Sequence, residues 1–422
     1  MSADRQANSN NSVDKRGQAG ESAGGKAVLN RRTIAQGLGI GSLLGLTACG
    51  PQGFSTIGGP STTLPSLNRG VQPQGEVLGT GSTRVALLLP LSATGNAGQA
   101  GPSFRNSADL AVAALGGSDI SVIVKDTGGT PAGAAAAASQ ALAEGAQMIL
   151  GPIFAAEVSA VAGVTRPVGV PVVAFSSDAS VGGQRVYLLS FLPSSDARRI
   201  ITYAGQQGRT TVGALLPNNA YGQIMEAEMR QSAAQAGLQV ASVQRYDLTT
   251  IAIQEAAATL ATQRDRFNAL FVPEAGDVMV SIAQGLSAGG LTPQNTLFLG
   301  SGQWEDARVQ NSAELRDAVY PAPPRAQYQD FVSRYRARYG SEPVRISSLG
   351  YDAVTLAAAL ARAGGGRIDP TMLDATSGFS GLDGIFRFLP GGSSQRGLAI
   401  YRVTGTGTEI ASAAPRSFQG IF

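Results

Sequence analysis

Short apolar runs alternate with helix-length stretches from about residue 84 onwards, and this alternation limits the folds open to the chain more than any other feature. A first series of runs predicts β-strands at residues 85–89, 120–124, 147–150 and 172–175. A second series predicts strands at residues 212–216, 240–246, 269–272 and 296–299. Apolar strands that alternate with helices are typical of mostly parallel sheets flanked by helices. The sequence therefore predicts an α/β fold.

The stretches between these strands carry signals that mark helices. Thr130 directly before Pro131 is typical of a helix start, where a side-chain cap is followed by proline in the first turn. Residues 327–363 also have a helical pattern, which is interrupted at residues 340–343. A glycine-bounded, β-rich segment follows it near the end of the chain.

Two βα halves joined by several chain crossings predict two lobes hinged around a cleft. We expect lobe one to combine residues 84–194 and 323–376, and lobe two to combine residues 195–322 and 377–410. Residues 411–422 are expected to form a tail. The pattern leaves open to which lobe the C-terminal β segment belongs.

The N-terminal residues have the pattern of an export signal. Two arginines precede an apolar run at residues 34–48, which is too short for a spanning helix of about 20 residues. Residues 46–49 resemble the bacterial lipobox, in which the cysteine is lipidated and becomes the mature N-terminus. We therefore expect residues 1–48 to be a tail and lipoprotein signal peptide, and Cys49 to be lipidated. Twin-arginine export and general secretion both stay open as routes.

The segment that follows the cysteine predicts a tether. Residues 49–83 are dense in Gly, Pro, Ser and Thr and have no hydrophobic periodicity, as in flexible linkers. Such a segment would lift the folded part off a membrane. We therefore expect a periplasmic protein that is lipid-anchored to the cell envelope.

Composition excludes several functional classes. The chain has no histidine, the commonest general base and metal ligand near neutral pH. Cys49 is the only cysteine, so neither an internal disulfide nor a multi-thiol metal site can form. Beyond residue 48 there are 26 basic and 26 acidic residues, so no excess of positive charge marks a nucleic-acid surface. We therefore predict a protein that is not an enzyme and that binds no metal, cofactor or nucleic acid.

Polar residues follow the predicted strands at the points where the strands end. In open parallel sheets, ligands bind beyond the carboxyl ends of the strands, near helix N-termini. In the first half these positions are Ser92, Thr94, Asp126, Thr127, Gly151, Ile153, Ser176 and Ser177. In the second half they are Asn218, Tyr221, Glu274, Ser301 and Trp304. Ser, Thr, Asp and Asn are also ordinary helix caps, and the only tryptophan suits a core position as well as a cleft.

Several segments resemble the strands of type I periplasmic-binding proteins, in the same order and spacing. They are residues 85–92, 125–127, 149–153, 172–176, 221–222 and 379–388. The resemblance covers about residues 84–405 and implies a two-lobed clamshell joined by several hinge crossings. Two branches of this superfamily compete.

One branch is the solute-binding protein of branched-chain amino acid ABC importers. By position, this resemblance implies that Ile153, Ala174 and Ser176 hold the ligand carboxylate and that Tyr221 closes from the other lobe. It also implies an acidic partner for the ligand ammonium near residues 301–304, where none is present; Glu305 is the nearest. The partners would be an ABC permease and a small polar solute such as an amino acid.

The other branch is the lipoprotein family of penicillin-binding protein activators, which residues 87–92 and 150–158 resemble more closely. It implies a protein partner, a peptidoglycan synthase, in place of a solute. Gly50 after the cysteine is consistent with outer-membrane sorting in the resembling lipoproteins. From the sequence we expect an activator of this kind, with the importer component as the alternative.

Overall fold

The structure, a computed structural model, describes residues 71–418. The expected signal peptide, Cys49 and the first part of the expected tether lie outside the described residues. The described part of that segment is not a free linker, because Val77–Leu78 forms a strand that pairs with Ile123 and Val122. Two sheets flanked by helices account for most of the described chain.

The first sheet has six strands. They are β1 (Val77–Leu78), β2 (Thr83–Leu89), β3 (Ile120–Asp126), β4 (Ile149–Leu150), β5 (Val172–Ala174) and β6 (Val186–Leu188). Their order is β1-β3-β2-β4-β5-β6, and only β1 pairs antiparallel with its neighbour within this sheet. Helices α1 (Gly95–Ala114), α2 (Pro131–Ala143) and α3 (Ala155–Thr165) follow β2, β3 and β4.

Strand β2 shows why the sheet is covered on both faces. Val85, Leu87 and Leu89 pack into one apolar cluster, whereas Ala86 and Leu88 pack into another that contains alanines of α2. Successive residues of a strand point to opposite faces, and all five are 0% exposed. The uninterrupted apolar run at residues 85–89 is therefore that of a central strand buried on both sides.

The second sheet is built from a further βα series. The elements are α4 (Pro193–Gln206), β7 (Thr211–Pro217), α5 (Ala220–Gln235), β8 (Gln239–Tyr246), α6 (Thr250–Ala261), β9 (Ala269–Phe271), α7 (Gly276–Ala288), β10 (Leu297–Leu299), α8 (Ala307–Gln310) and β11 (Val319–Ala322). Strands β8, β7, β9, β10 and β11 are neighbours in that order and run parallel.

The chain then returns to the first lobe and crosses once more. The returning elements are α9 (Arg325–Tyr339), α10 (Ser348–Ala363) and a three-stranded sheet of β12 (Phe379–Gly381), β13 (Gly384–Phe388) and β14 (Ser394–Arg396). Strands β15 (Ala399–Val403) and β16 (Thr408–Ser412) then extend the second sheet antiparallel to β11. Phe386 and Phe388 pack into the core of the first lobe. The segment at residues 377–410, expected in lobe two, is thus divided, because β12–β14 pack with lobe one.

Three crossings join the two lobes, between β6 and α4, between β11 and α9, and between β14 and β15. Arg396 Nε donates a hydrogen bond to the Ser190 carbonyl at 3.2 Å. Ser195 Oγ donates to the Ser394 carbonyl at 3.1 Å. These bonds connect the first crossing to the third.

The local helix signals act as expected. Thr130 Oγ1 accepts a hydrogen bond from the Gly133 N–H at 3.1 Å, so it caps α2. Helix α9 ends at Gly340, which has φ +68°, a left-handed conformation that glycine adopts without a steric cost. The interruption expected at residues 340–343 therefore separates α9 from α10.

Candidate ligand-binding site

We call the residues at the carboxyl ends of the strands in each sheet the wall of that lobe. The loops after β2 and β3 form the first part of the lobe-one wall. Asp126 Oδ1 accepts hydrogen bonds from the N–H groups of Leu91, Ser92 and Gly128 at 2.9, 3.2 and 2.8 Å. Burial raises the pKa of Asp126, but these bonds and the Ser92 hydroxyl outweigh it and lower the pKa below its ordinary value. Asp126 is thus a charged anchor for the loop at Ser92. The exposed Thr94 makes no side-chain cap on α1, so its hydroxyl is available to a ligand.

The turn from β4 into α3 forms the second part of this wall. Gly151 has φ +86°, and a Cβ there would lie 2.4 Å from the Leu88 carbonyl, so only glycine fits. The bond from Gly151 to Pro152 is cis. Ile153 is 8% exposed and packs in the core, whereas Phe154 at the start of α3 is exposed. Residues 151–153 are all buried, the Gly151 N–H donates to the Val173 carbonyl at 2.8 Å, and the Pro152 carbonyl accepts from the Phe175 N–H at 2.9 Å. The turn is therefore held against β5.

Glu157 lies under the same turn, and its side chain is buried. Oε2 accepts a long hydrogen bond of 3.5 Å from the Phe154 N–H, and Oε1 has no hydrogen-bond partner. Burial raises the pKa of Glu157 above its ordinary value. The Glu157 carboxyl group therefore contacts the start of α3 from the buried side of lobe one.

Ala174, which the resemblance implies as a carboxylate contact, is the last residue of β5, and two serines follow it at residues 176 and 177. Ala174 is fully buried, and its carbonyl accepts a hydrogen bond from the Leu189 N–H at 2.8 Å. Ser176 is 4% exposed, and its Oγ accepts from the Asp178 N–H at 3.2 Å. Ser177 is exposed. The serines therefore lie at the carboxyl end of β5, whereas Ala174 packs behind the sheet.

The lobe-two wall combines two tyrosines with a carboxylate and a serine. The Tyr221 hydroxyl lies 3.2 Å from Ser301 Oγ, and the Tyr246 hydroxyl donates to Glu274 Oε2 at 2.6 Å. Burial raises the pKa of both phenols. Tyr221, Ser301 and Glu274 follow β7, β10 and β9, and Tyr246 is the last residue of β8. These four strands are neighbours in the second sheet. The expected convergence of Tyr221 and Glu274 on one edge is therefore present.

Asp196 also reaches this wall, although no sequence pattern pointed to it. It lies in the first turns of α4, directly after the first crossing, and its Oδ2 accepts a hydrogen bond from the Gly302 N–H at 2.9 Å. Burial raises the pKa of Asp196 to about 7. The negative charge of Asp196 also contributes to the raised pKa of Tyr221. Asp196 and Tyr221 therefore belong to one cluster.

Trp304 differs from the expectation that it lines the cleft. Its ring is 0% exposed and packs 6.1 Å from the Tyr320 ring in the core of lobe two. A Cβ on Gly300 would lie 2.2 Å from the indole, so the ring occupies the space beside that glycine. Its Nε1 has no hydrogen-bond partner. We therefore remove Trp304 from the candidate ligand set.

The structure brings the other candidates to the carboxyl ends of the two sheets. Ser92, Thr94, Gly151, Ser176 and Ser177 lie at the edge of the first sheet, and Tyr221 and Glu274 lie at the edge of the second. Within residues 71–418, no hydrogen bond or ion pair joins the two sets.

The sequence did not predict Asp196 or Tyr246 as site residues. Tyr246 could have been predicted, because it ends an apolar strand and so occupies the same kind of position as the other candidates.

No group of three or more Cys, Asp or Glu in residues 71–418 has the geometry of a metal site. In the same part of the chain, no helix is both long and apolar enough to cross a bilayer.

The fold and the two walls define a two-lobed α/β protein with polar groups facing from both sheets. Residues 82–408 match the model of the periplasmic binding protein family. The match covers most of the chain, so this protein belongs to that family. Membership implies a periplasmic location. A search of the curated proteins finds no match.

Solved structures share the fold at low sequence identity. A putative branched-chain amino acid ABC transporter protein from Rhodospirillum rubrum is 17% identical with a TM-score of 0.67, over 78% of this chain and 99% of that one. A branched-chain amino acid ABC transporter periplasmic ligand-binding protein from Burkholderia xenovorans is 17% identical with a TM-score of 0.62, over 79% and 96%. A branched-chain amino acid transporter substrate-binding protein from Streptococcus pneumoniae, in complex with isoleucine, is 19% identical with a TM-score of 0.52, over 79% and 99%. These likenesses confirm the expected type I periplasmic-binding fold.

Proposed function

We propose that this protein is the solute-binding component of an ABC importer and that its solute is a small polar molecule of the amino-acid class. Membership in the periplasmic binding protein family supports this, as do the names of the structural relatives. They favour this alternative over the activator of a peptidoglycan synthase that we first expected, for which no relative named above gives support. That the protein is not an enzyme stays a prediction.

One observation carries the proposal. Hydroxyl and carboxylate groups lie at the carboxyl ends of the strands in both sheets, and three chain crossings join the two lobes. In open parallel sheets this edge is where ligands bind. Ser176 and Thr94 on lobe one, with Tyr221 and Glu274 on lobe two, are the side chains we assign to the solute.

The test is a binding panel with the full-length protein, purified in detergent. Each of the twenty L-amino acids is added in turn, thermal unfolding is followed, and hits are titrated by calorimetry. We expect at least one amino acid to raise the unfolding temperature, since a ligand that binds only the folded state stabilises it. No response to any amino acid would refute the amino-acid solute.

A double variant identifies the site. Ser176→Ala with Tyr221→Phe removes one hydroxyl from each wall, and we expect it to weaken binding by about tenfold or more, because each lost hydrogen bond to a ligand costs about 1 kcal/mol. The matched control is Ser159→Ala with Tyr339→Phe, which removes the same atoms from α3 and α9. Equal affinities in the two double variants would contradict the assignment.

We further propose that Cys49 is lipidated and holds the protein at the cell envelope, with the outer membrane as the expected site. The support is the lipobox resemblance at residues 46–49. Affinity capture from detergent-solubilised envelopes tests the partner: recovery of permease subunits supports the importer, and recovery of a peptidoglycan synthase instead would return us to the activator.

A further inference from the structure

A small cavity lies between α4 and the end of β14, and none of the residues assigned to the two walls lines it. Its volume is about 30 Å³. A cavity of this size holds one or two particles as large as a water molecule, so it is too small for an amino acid. Its lining includes three arginines and two amides but no carboxylate: Arg198, Arg199, Arg396, Gln206 and Gln395.

Arg199 brings a positive charge without a carboxylate partner to this cavity. Its Nε donates a hydrogen bond to the Leu398 carbonyl at 2.9 Å, and its Nη2 donates to Ser412 Oγ at 3.2 Å, so both acceptors are neutral. Burial lowers the pKa of Arg199, and no carboxylate contributes to raise it. A half-buried guanidinium in this state can form a further, charge-assisted hydrogen bond with an anion.

The other two arginines leave the surroundings of the cavity positive. Glu228 neutralises Arg198 through hydrogen bonds of 2.9 and 3.2 Å. Arg396 has only a long ion pair, since its Nη1 lies 3.9 Å from Asp352 Oδ2, and neither Nη atom has a hydrogen-bond partner. Within residues 71–418, Glu228 is thus the one carboxylate that is hydrogen-bonded to any of the three guanidinium groups.

Gln395 supplies neutral donors to the same space. It is 5% exposed, and its Oε1 accepts a hydrogen bond from Arg387 Nε at 2.9 Å. That bond commits the oxygen of the amide, and no hydrogen bond of the described chain uses the amide N–H groups. Ser195 offers no donor, because its Oγ donates to the Ser394 carbonyl at 3.1 Å. A guanidinium and an amide N–H on one small cavity are the donors that a small anion requires.

We propose that this cavity binds a monatomic anion, such as chloride, and that Arg199 and the amide of Gln395 hold it. The anion contacts α4, which follows the first crossing, and β14, which precedes the third. It therefore ties these two crossings together, beside the bond from Ser195 to Ser394. The proposal does not depend on the proposed function or on the identity of the solute.

The test compares thermal unfolding of the full-length protein, in detergent, in sodium chloride and in sodium gluconate at equal ionic strength. Gluconate is too large for the cavity. We expect chloride to raise the unfolding temperature by about 2 °C or more relative to gluconate, because an ion that binds only the folded state stabilises it. Bromide should act as chloride does. Equal unfolding temperatures of the wild type in chloride and gluconate would refute the site.

Two variants locate the effect. Arg199→Met removes the charge, and Gln395→Glu places a carboxylate in the cavity without a change in side-chain size, so both should abolish the difference between chloride and gluconate. Arg230→Met is the matched control, because it removes an exposed arginine from α5, and it should keep the wild-type difference. If Arg199→Met does not fold, Gln395→Glu decides alone. A chloride effect in Gln395→Glu as large as in the wild type would show that the anion binds elsewhere.

Discussion

Replacement of Asp196 by Asn should change how the stability of the protein depends on pH. Burial raises the pKa of this carboxyl from 3.8 to about 7, so the folded protein favours the neutral acid. A raised carboxyl pKa contributes stability that is fully present below pH 3.8 and is lost as the pH rises through about 7. Asparagine stays neutral throughout, so the variant should lack this loss.

The size of the effect follows from the two pKa values. With 3.8 in the unfolded chain and about 7 in the folded protein, linkage gives a loss of about 3 kcal/mol between pH 5 and pH 8. Burial also raises the pKa of Asp352, and its contribution to the pH dependence is the same in both proteins. The difference between wild type and variant therefore isolates Asp196.

Urea unfolding followed by circular dichroism at pH 5 and pH 8 measures this difference. We expect the free energy of unfolding of Asp196→Asn, relative to that of the wild type, to rise by about 3 kcal/mol between pH 5 and pH 8. Asp178→Asn is the control, because hydrogen bonds with Ser180 lower the pKa of Asp178 and its titration is complete below pH 5. A gain that is the same in both variants, or absent in Asp196→Asn, would show that burial does not hold this carboxyl neutral.

Three further predictions concern other parts of the molecule. Lys125→Met should lower the free energy of unfolding in urea by about 3–5 kcal/mol, because it leaves Glu144 buried without its cation. The double variant Lys125→Met with Glu144→Leu should recover most of that loss. A double variant no more stable than the single one would contradict this reasoning. Trp304→Ala should lower the free energy of unfolding by about 3–5 kcal/mol, because the ring fills a closed core. In the wild type, the fluorescence emission of Trp304 should not change when a solute binds. A change in emission at saturating solute would place the ring at the site. Cys49→Ala should move the protein from the membrane pellet to the soluble fraction, and retention in the pellet would disprove the lipid anchor.

The fold could be predicted largely because local patterns and the final packing agree. The run at residues 85–89 is apolar throughout, since β2 is buried on both faces, and Thr130 caps α2 through a local hydrogen bond. The strands β1, β6 and β11 were not predicted. Strand β1 lies inside a segment whose Gly and Pro content is typical of a linker, and β11 contains Pro321, a residue that argues against a strand. The three-stranded sheet of β12–β14 was misplaced, since nothing local tells which core Phe386 will join.

The site could be predicted only in part. Tyr221 and Glu274 were found because they directly follow strands, and the carboxyl ends of parallel strands share one edge. Asp196 was not found, because its position depends on a contact between α4 and a loop 106 residues away. Trp304 follows a strand just as Tyr221 does, and only the neighbouring Gly300 gives its ring room to turn inward. Long-range contacts of this kind leave no periodic signal in the sequence.

The buried ion pair of Lys125 and Glu144 has a practical consequence for handling the protein. The chain contains three lysines, and the other two, Lys15 and Lys26, precede Cys49. Lys125 Nζ lies 2.8 Å from Glu144 Oε1 and 2.7 Å from the Gln74 carbonyl, and its side chain is 6% exposed. A mature chain that begins at a lipidated Cys49 would therefore present no accessible lysine amine to succinimide esters or to aldehyde fixatives. Its α-amine, where that group is not itself acylated, would be the single labelling site, at the membrane end of the chain. Labels on the folded lobes should therefore use introduced cysteines or carboxylate chemistry.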